Sequence, residues 1–94
     1  MKNQIILAGT LINNPIIQYT KNDKKFAILK IKVKRGIDTD KADIFECIAM
    51  NTDVINKCKL GDLVEIIGNL YSEISKTNNV KKFAIIATHI TILN

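Results

Sequence analysis

Lys30, Lys32 and Lys34 recur at every second position, with Ile31 and Val33 between them. A period of two places alternate residues on opposite faces of an extended strand. The stretch therefore predicts a row of ammonium groups about 6.6–6.8 Å apart with an apolar face behind it. Such a row suits an extended polyanion, because it can follow a line of phosphates without reading what hangs from them. The row sits in a wider basic segment. Between positions 21 and 35, Lys21, Lys24, Lys25, Lys30, Lys32, Lys34 and Arg35 are opposed only by Asp23, a net +6 in a chain whose total is +5. A localised basic patch is the electrostatic footprint of a polyanion binder. Lysines on an exposed strand also discourage edge-to-edge aggregation, and that bland reading competes for the same residues.

Other reactive chemistry is sparse. His89 is the only histidine and has no carboxylate or cysteine at motif spacing, so a structural or exposed role is expected. Cys47 and Cys58 lack metal-ligand spacing and read as reduced, buried or half-buried thiols. There is no phosphate-cradling glycine loop and no nucleophile–base pair at motif spacing. No enzyme, metal or cofactor is therefore expected. No apolar run approaches bilayer length, and the polar Met1–Gln4 opening carries no signal-peptide pattern. The expected setting is the cytoplasm, with no membrane partner.

The elements that must hold the lysine row are mostly strands. At 94 residues one domain, 1–94, is expected, and its β-branched richness favours an all-β class. A first strand is expected over residues 3–11, apolar on both faces, which implies burial on both sides with a second subunit as one source of cover. Asn13-Asn14-Pro15 breaks it, and residues 16–20 are read as a continuation. A polar turn over residues 21–25 leads to a second strand over 26–35, and a third is expected over 43–50. Asn51-Thr52-Asp53 offers helix-capping chemistry, with Val54, Ile55 and Cys58 on the buried side of a short helix. A fourth strand spans 63–74, bent at Gly68. A fifth covers 80–93, in two pieces around His89. Five strands with a helix between the third and fourth is the order of an OB-fold, a partly open barrel that binds oligonucleotides on its second and third strands and through its first and last hairpin loops. An SH3-like barrel or a bare five-stranded sheet fits the same pattern.

Particular residues resemble a known family. Asn3 to Leu11, then Pro15 and Tyr19-Thr20, look like the opening of bacterial single-stranded DNA-binding proteins. Ala42 to Cys47 resembles that family's third strand. Lys59-Leu60-Gly61-Asp62, Val64, Ile66 and Gly68-Asn69-Leu70 resemble its step from helix to fourth strand. The likeness spans nearly the whole chain and includes the short branch of primosomal replication protein N. It implies an OB-fold, a homodimer or homotetramer, sequence-independent binding of single-stranded DNA, and work in replication, recombination or repair at the nucleoid. Other replication proteins are possible partners.

The chain departs from the family in three ways. The family ends in a flexible linker with an acidic tip that recruits other proteins, whereas this chain stops at Asn94 after its last strand, so such recruitment is not expected. The family's stacking aromatics are replaced by Gly36, Ile44, Met50 and Ser75, and the chain has no tryptophan. Each lost platform forgoes roughly 1–3 kcal/mol of stacking, although Ile44 and Met50 can still press on a base. Glu46 and Glu73 stand where the family tends to place neutral or basic groups. The candidate binding residues are thus Lys30, Lys32, Lys34 and Arg35 on the second strand, Ile44 and Met50 on the third, Lys24 and Lys25 at the first hairpin, and Lys76, Lys81 and Lys82 at the last. Tyr71 and Phe26 are the stacking candidates, while Phe45 and Phe83 are assigned to core or interface. An OB-fold protein-interaction adaptor of a replication-restart complex, weak in nucleic-acid binding, is the competing function. An RNA-binding domain ranks last for want of aromatic-rich strands.

Overall fold

The computed structural model describes residues 2–50, 52–74 and 77–94. Its elements run β1 (Ile5–Leu11), β2 (Ile16–Tyr19), β3 (Lys25–Lys34), β4 (Ala42–Ala49), α1 (Thr52–Ile55), β5 (Leu63–Ile74) and β6 (Lys81–Ile92). The sheet order is β1-β5-β6-β4-β3-β2, and β1 returns to β3 by pairing Thr10 with Lys32 and Leu11 with Ile31. A parallel contact of Cys47, Ile48 and Ala49 with Ile85, Ile86 and Ala87 joins β4 to β6. The other pairings are antiparallel. The result is a closed barrel of five staves, the first made of β1 and β2 in succession, with α1 between β4 and β5: an OB-fold.

The interior explains the pattern of the strands. Leu11, Leu29, Ile31, Cys47, Val64, Ile66 and Ile85 are fully buried, and Ile55 and Cys58 from α1 and its following turn join the same cluster. The helix is a single turn, and the capping position Asn51 lies outside the described residues. Burial, with Glu46 adding to it, pushes the Cys47 thiol up to about 12, and burial with Asp62 raises that of Cys58. Both are protonated, packed side chains at neutral pH.

Four polar side chains steer the chain. Where β1 leaves β3, Asn13 substitutes for a strand: its Oδ1 accepts from the Lys30 amide at 2.8 Å and its Nδ2 donates to the Ile28 carbonyl at 3.5 Å. Asn14 Oδ1 accepts from the Leu60 amide at 2.8 Å, tying the break to the turn before β5. Asn3 does the same for the β5 arm, its side chain accepting from the Leu70 amide at 3.0 Å and donating to the Leu70 carbonyl at 2.6 Å. Buried Asp62 accepts from the Lys59 amide at 3.1 Å through Oδ2 and fixes the turn before β5.

β6 is one strand with a bulge. Ile67 faces His89 and Gly68 faces Ala87, so Thr88 is the extra residue, and its hydroxyl donates to the Ile67 carbonyl at 3.0 Å. Past the bulge β4 still holds β6 at Ile85–Ala87, and from Leu70 and Ala84 outward β5 and β6 run off the barrel as a two-stranded arm. Leu70, which the parity of β5 turns toward the core side, is therefore 38% exposed. The two apolar faces of β1 are not both covered within the chain: Ile5 and Leu7 pack against the core, whereas Ile6 is 61% exposed.

Gly9 marks the crossing of β1 over β3. A Cβ there would run into the Lys32 carbonyl oxygen and press on the Val33 side chain, whereas one at Gly36 would meet only a Thr39 methyl at 3.7 Å. Gly9→Ala should lower stability in urea by about 1–3 kcal/mol, the usual range for overpacking. Gly36→Ala should stay within about 0.5 kcal/mol, as for an uninvolved surface site. Equal urea midpoints for the two variants would contradict the crossing.

Candidate nucleic-acid interface

Because Ala27, Leu29 and Ile31 are sealed inside, the alternate residues of β3 must face out. Lys30, Lys32 and Lys34 are exposed on that outer face, and Phe26 and Ile28 are half-buried on it. Register extends the face to β4: Ile48 lies opposite Ile28, Glu46 opposite Lys30, Ile44 opposite Lys32 and Ala42 opposite Lys34. The parallel contact carries it to β6 through Ile48 and Ile86, and the antiparallel pairs carry it to β5, where Asn69 meets Ile86, Tyr71 meets Ala84 and Glu73 meets Lys82. The surface is thus cationic on β3, apolar through Ile44, Ile48 and Ile86, and mixed on the arm.

The candidate residues divide by placement. Phe26, Lys30, Lys32, Lys34, Ile44, Met50, Tyr71 and Lys82 share this face; Ile44 is 62% and Met50 52% exposed. Lys24 lies in the β2–β3 turn, where its amide donates to the Thr20 hydroxyl at 3.1 Å. Lys25 has the parity of Ala27 and lies on the reverse of β3, opposite Tyr19. Lys81, opposite Ile74, occupies the reverse of the arm. Arg35 also has inward parity and makes a bidentate pair with Asp43, Nε to Oδ2 at 3.0 Å and the guanidinium to Oδ1 at 2.9 Å. That hydrogen bond holds the Asp43 carboxyl below its ordinary value and raises the guanidinium. Arg35 therefore staples the root of the β3–β4 loop. Lys76 and Ser75 lie outside the described residues. Phe45 packs against the core, and Phe83 is 65% exposed on the reverse of the arm.

Tyr71 is the aromatic ring on the arm's outer face, and it is half-buried. Burial first, then Glu73 and Glu46, push its phenol above the usual value, so it is a neutral hydrogen-bond donor. Glu73 is held by Lys82 at 3.7 Å. Sequence reasoning missed Ile48, Ile86, Asn69 and Ala84. Ile48 was recoverable from its parity with Ile44. The other three depend on the register of β4 against β6 and of β5 against β6, which no local pattern encodes.

Among the described residues no helix is long and apolar enough to cross a membrane, and no group of His, Cys, Asp and Glu could hold a metal ion. No curated protein matches the chain. Among solved structures it is similar to the Plasmodium falciparum SSB complex with ssDNA, with a TM-score of 0.82 and 22% identity over 100% of this chain and 97% of that one. At that identity the likeness is one of fold. The family model of the single-strand binding proteins matches residues 2–93. With the barrel, the helix position and nearly the whole length in agreement, the chain belongs to the single-strand binding protein family.

Proposed function

We propose that this chain binds single-stranded DNA in a sequence-tolerant way, as a non-enzymatic component of replication, recombination or repair at the nucleoid. The observation that carries this reading is the exposed row of Lys30, Lys32 and Lys34 on the face whose reverse is the sealed core. Phosphates follow the row, and bases lie over Ile44, Ile48 and Tyr71. The apolar middle of the face gives contact without hydrogen-bond readout, and the neutral Tyr71 supplies one stacking surface. The competing adaptor role is favoured by Glu46 and Glu73, which put negative charge on the same surface. Loss of DNA binding with retention of a protein partner would select it.

A homodimer or homotetramer fits the same reading. β1 pairs with β5 along one edge, but on its other edge only Thr10 and Leu11 meet β3. Ile6 of β1 is 61% exposed, with Leu63 on the neighbouring β5 42% exposed and Leu93, just past the end of β6, 48% exposed. Free strand edges flanked by apolar side chains are templates for pairing with another chain.

Fluorescence anisotropy with a labelled oligo-dT should show binding that weakens with salt. Neutralising about four phosphates gives a log–log slope near −3, from roughly 0.7 per phosphate. A slope near zero, or tighter binding of duplex, would contradict the reading. Replacing Lys30, Lys32 and Lys34 together with Ala should flatten the slope by about 2. Replacing Lys57 and Lys59, beyond α1, should change little, and Tyr71→Ala should weaken binding with the slope nearly intact. Equal losses for the two lysine sets would mean that net charge, not this face, holds the DNA. Light scattering after size exclusion should give a mass at least twice the 10.5 kDa of the chain, reduced toward that of one chain by Ile6→Glu. A monomer at micromolar concentration would remove the assembly proposal.

A further inference from the structure

One line across the binding face is chemically unlike the rest. Lys30 on β3 lies opposite Glu46 on β4, and Tyr71 on β5 lies opposite Ala84 on β6. Since Cys47 pairs with Ile85 in parallel register, Ala84 stands beside Glu46. The line therefore reads Lys30, Glu46, Ala84, Tyr71, with Glu46 and Tyr71 two strand spacings apart, roughly 9–10 Å. Ala84 is 5% exposed yet has no place in the core cluster. With Ile85 turned inward, Ala84 has outward parity and sets a small side chain between Glu46 and Tyr71 on the outer face.

The Glu46 side chain on this line is half-buried and has no protein partner among the described residues. The ion pairs among the described residues are Arg35 with Asp43 and Lys82 with Glu73, and Glu46 enters neither. It makes no side-chain hydrogen bond among the described residues, although Lys30 is its cross-strand neighbour. A half-buried carboxylate is an acceptor only and needs donors. On a face that takes nucleic acid, phosphates offer none, whereas base edges do. The four bases differ there. Thymine presents one N–H between two carbonyls that repel a carboxylate. Cytosine and adenine present an amino group beside a ring nitrogen lone pair. Guanine alone presents adjacent N1–H and 2-amino donors, which match the two oxygens of one carboxylate.

We infer that Glu46, separated from Tyr71 by the small Ala84 on the outer face, is a base-reading residue that selects guanine at one position of an otherwise sequence-tolerant single strand. The inference rests on the single-stranded DNA reading above and adds one specificity determinant to it. The carboxylate repels the phosphate chain toward the lysines and recovers that cost only where a guanine edge reaches it. Lys30 sets the backbone path on one side, and Tyr71 packs against the base on the other.

The test compares three labelled strands in anisotropy titrations at fixed salt: oligo-dT, oligo-dT with scattered dG, and the same strand with deoxyinosine, which lacks only the 2-amino group. The native protein should bind the dG strand at least about fivefold more tightly than the deoxyinosine strand, the lower end of what a bidentate base contact discriminates. Glu46→Gln should bind oligo-dT more tightly than the native protein does, and its dG advantage should shrink toward one. Urea unfolding of the variant checks that the barrel is intact, and Glu73→Gln, which should keep the dG advantage, isolates the effect to Glu46. Binding of oligo-dT with no preference for dG over deoxyinosine would overturn this inference and leave the single-stranded DNA reading standing. Failure to bind any of the strands would overturn both.

Discussion

Closing a sheet on itself leaves each strand one face to offer. With Ala27, Leu29 and Ile31 wholly enclosed, a slip of one residue along β3 would drive Lys30 and Lys32 into the interior and turn three apolar side chains to water. The lysine row owes its position to that penalty and not to the lysines. β4 follows by register, with Cys47 and Ala49 inside and Ile44, Glu46 and Ile48 outside. Hydrophobic burial thus does the positioning on which the electrostatics depend, and a functional surface is obtained as the reverse of a core.

That dependence also explains what could be read in advance. The strict alternation from Leu29 to Lys34 named both faces of β3 at once, and the strand order with a helix before β5 named the barrel. The parity argument placed Tyr71 outside. The same argument placed Leu70 inside, and there it misled, because the two-stranded arm begins at Leu70 and leaves its inward side without a barrel interior to face. Lys25 and Arg35 read as members of a basic cluster because charge was counted along the chain, whereas parity sends both to the other side of β3. Arg35 finds Asp43 across the strands. The line from Lys30 through Glu46 and Ala84 to Tyr71 was invisible in principle. It arises from three non-local pairings, one of them the short parallel contact of β4 with β6.

Charge on the face is graded rather than uniformly positive. Among the described residues the lysines of β3 have no carboxylate partner and Glu46 of β4 is unpaired, whereas the arm carries a Lys82–Glu73 pair. A chain crossing this gradient meets attraction on one side and a mixture on the other, which orients it: backbone toward β3, bases toward β5 and β6. The asparagines at the edges of the barrel do comparable directional work without charge. Asn13 and Asn14 let the first stave break and resume without stranding backbone groups of β3 or the turn before β5.

The Asn3 side chain has a mechanical consequence. From Leu70 and Ala84 outward, past the last contact of β6 with β4, the arm is a cantilever of two strands, and a two-stranded ribbon alone is marginal in water. Asn3 bonds both backbone groups of Leu70, so the start of the chain acts as a bracket at the cantilever's root, on a residue 67 positions away. Fraying of the amino terminus and unzipping of the arm are thereby one event. Asn3, just ahead of β1, thus helps set how stiffly Tyr71 is held.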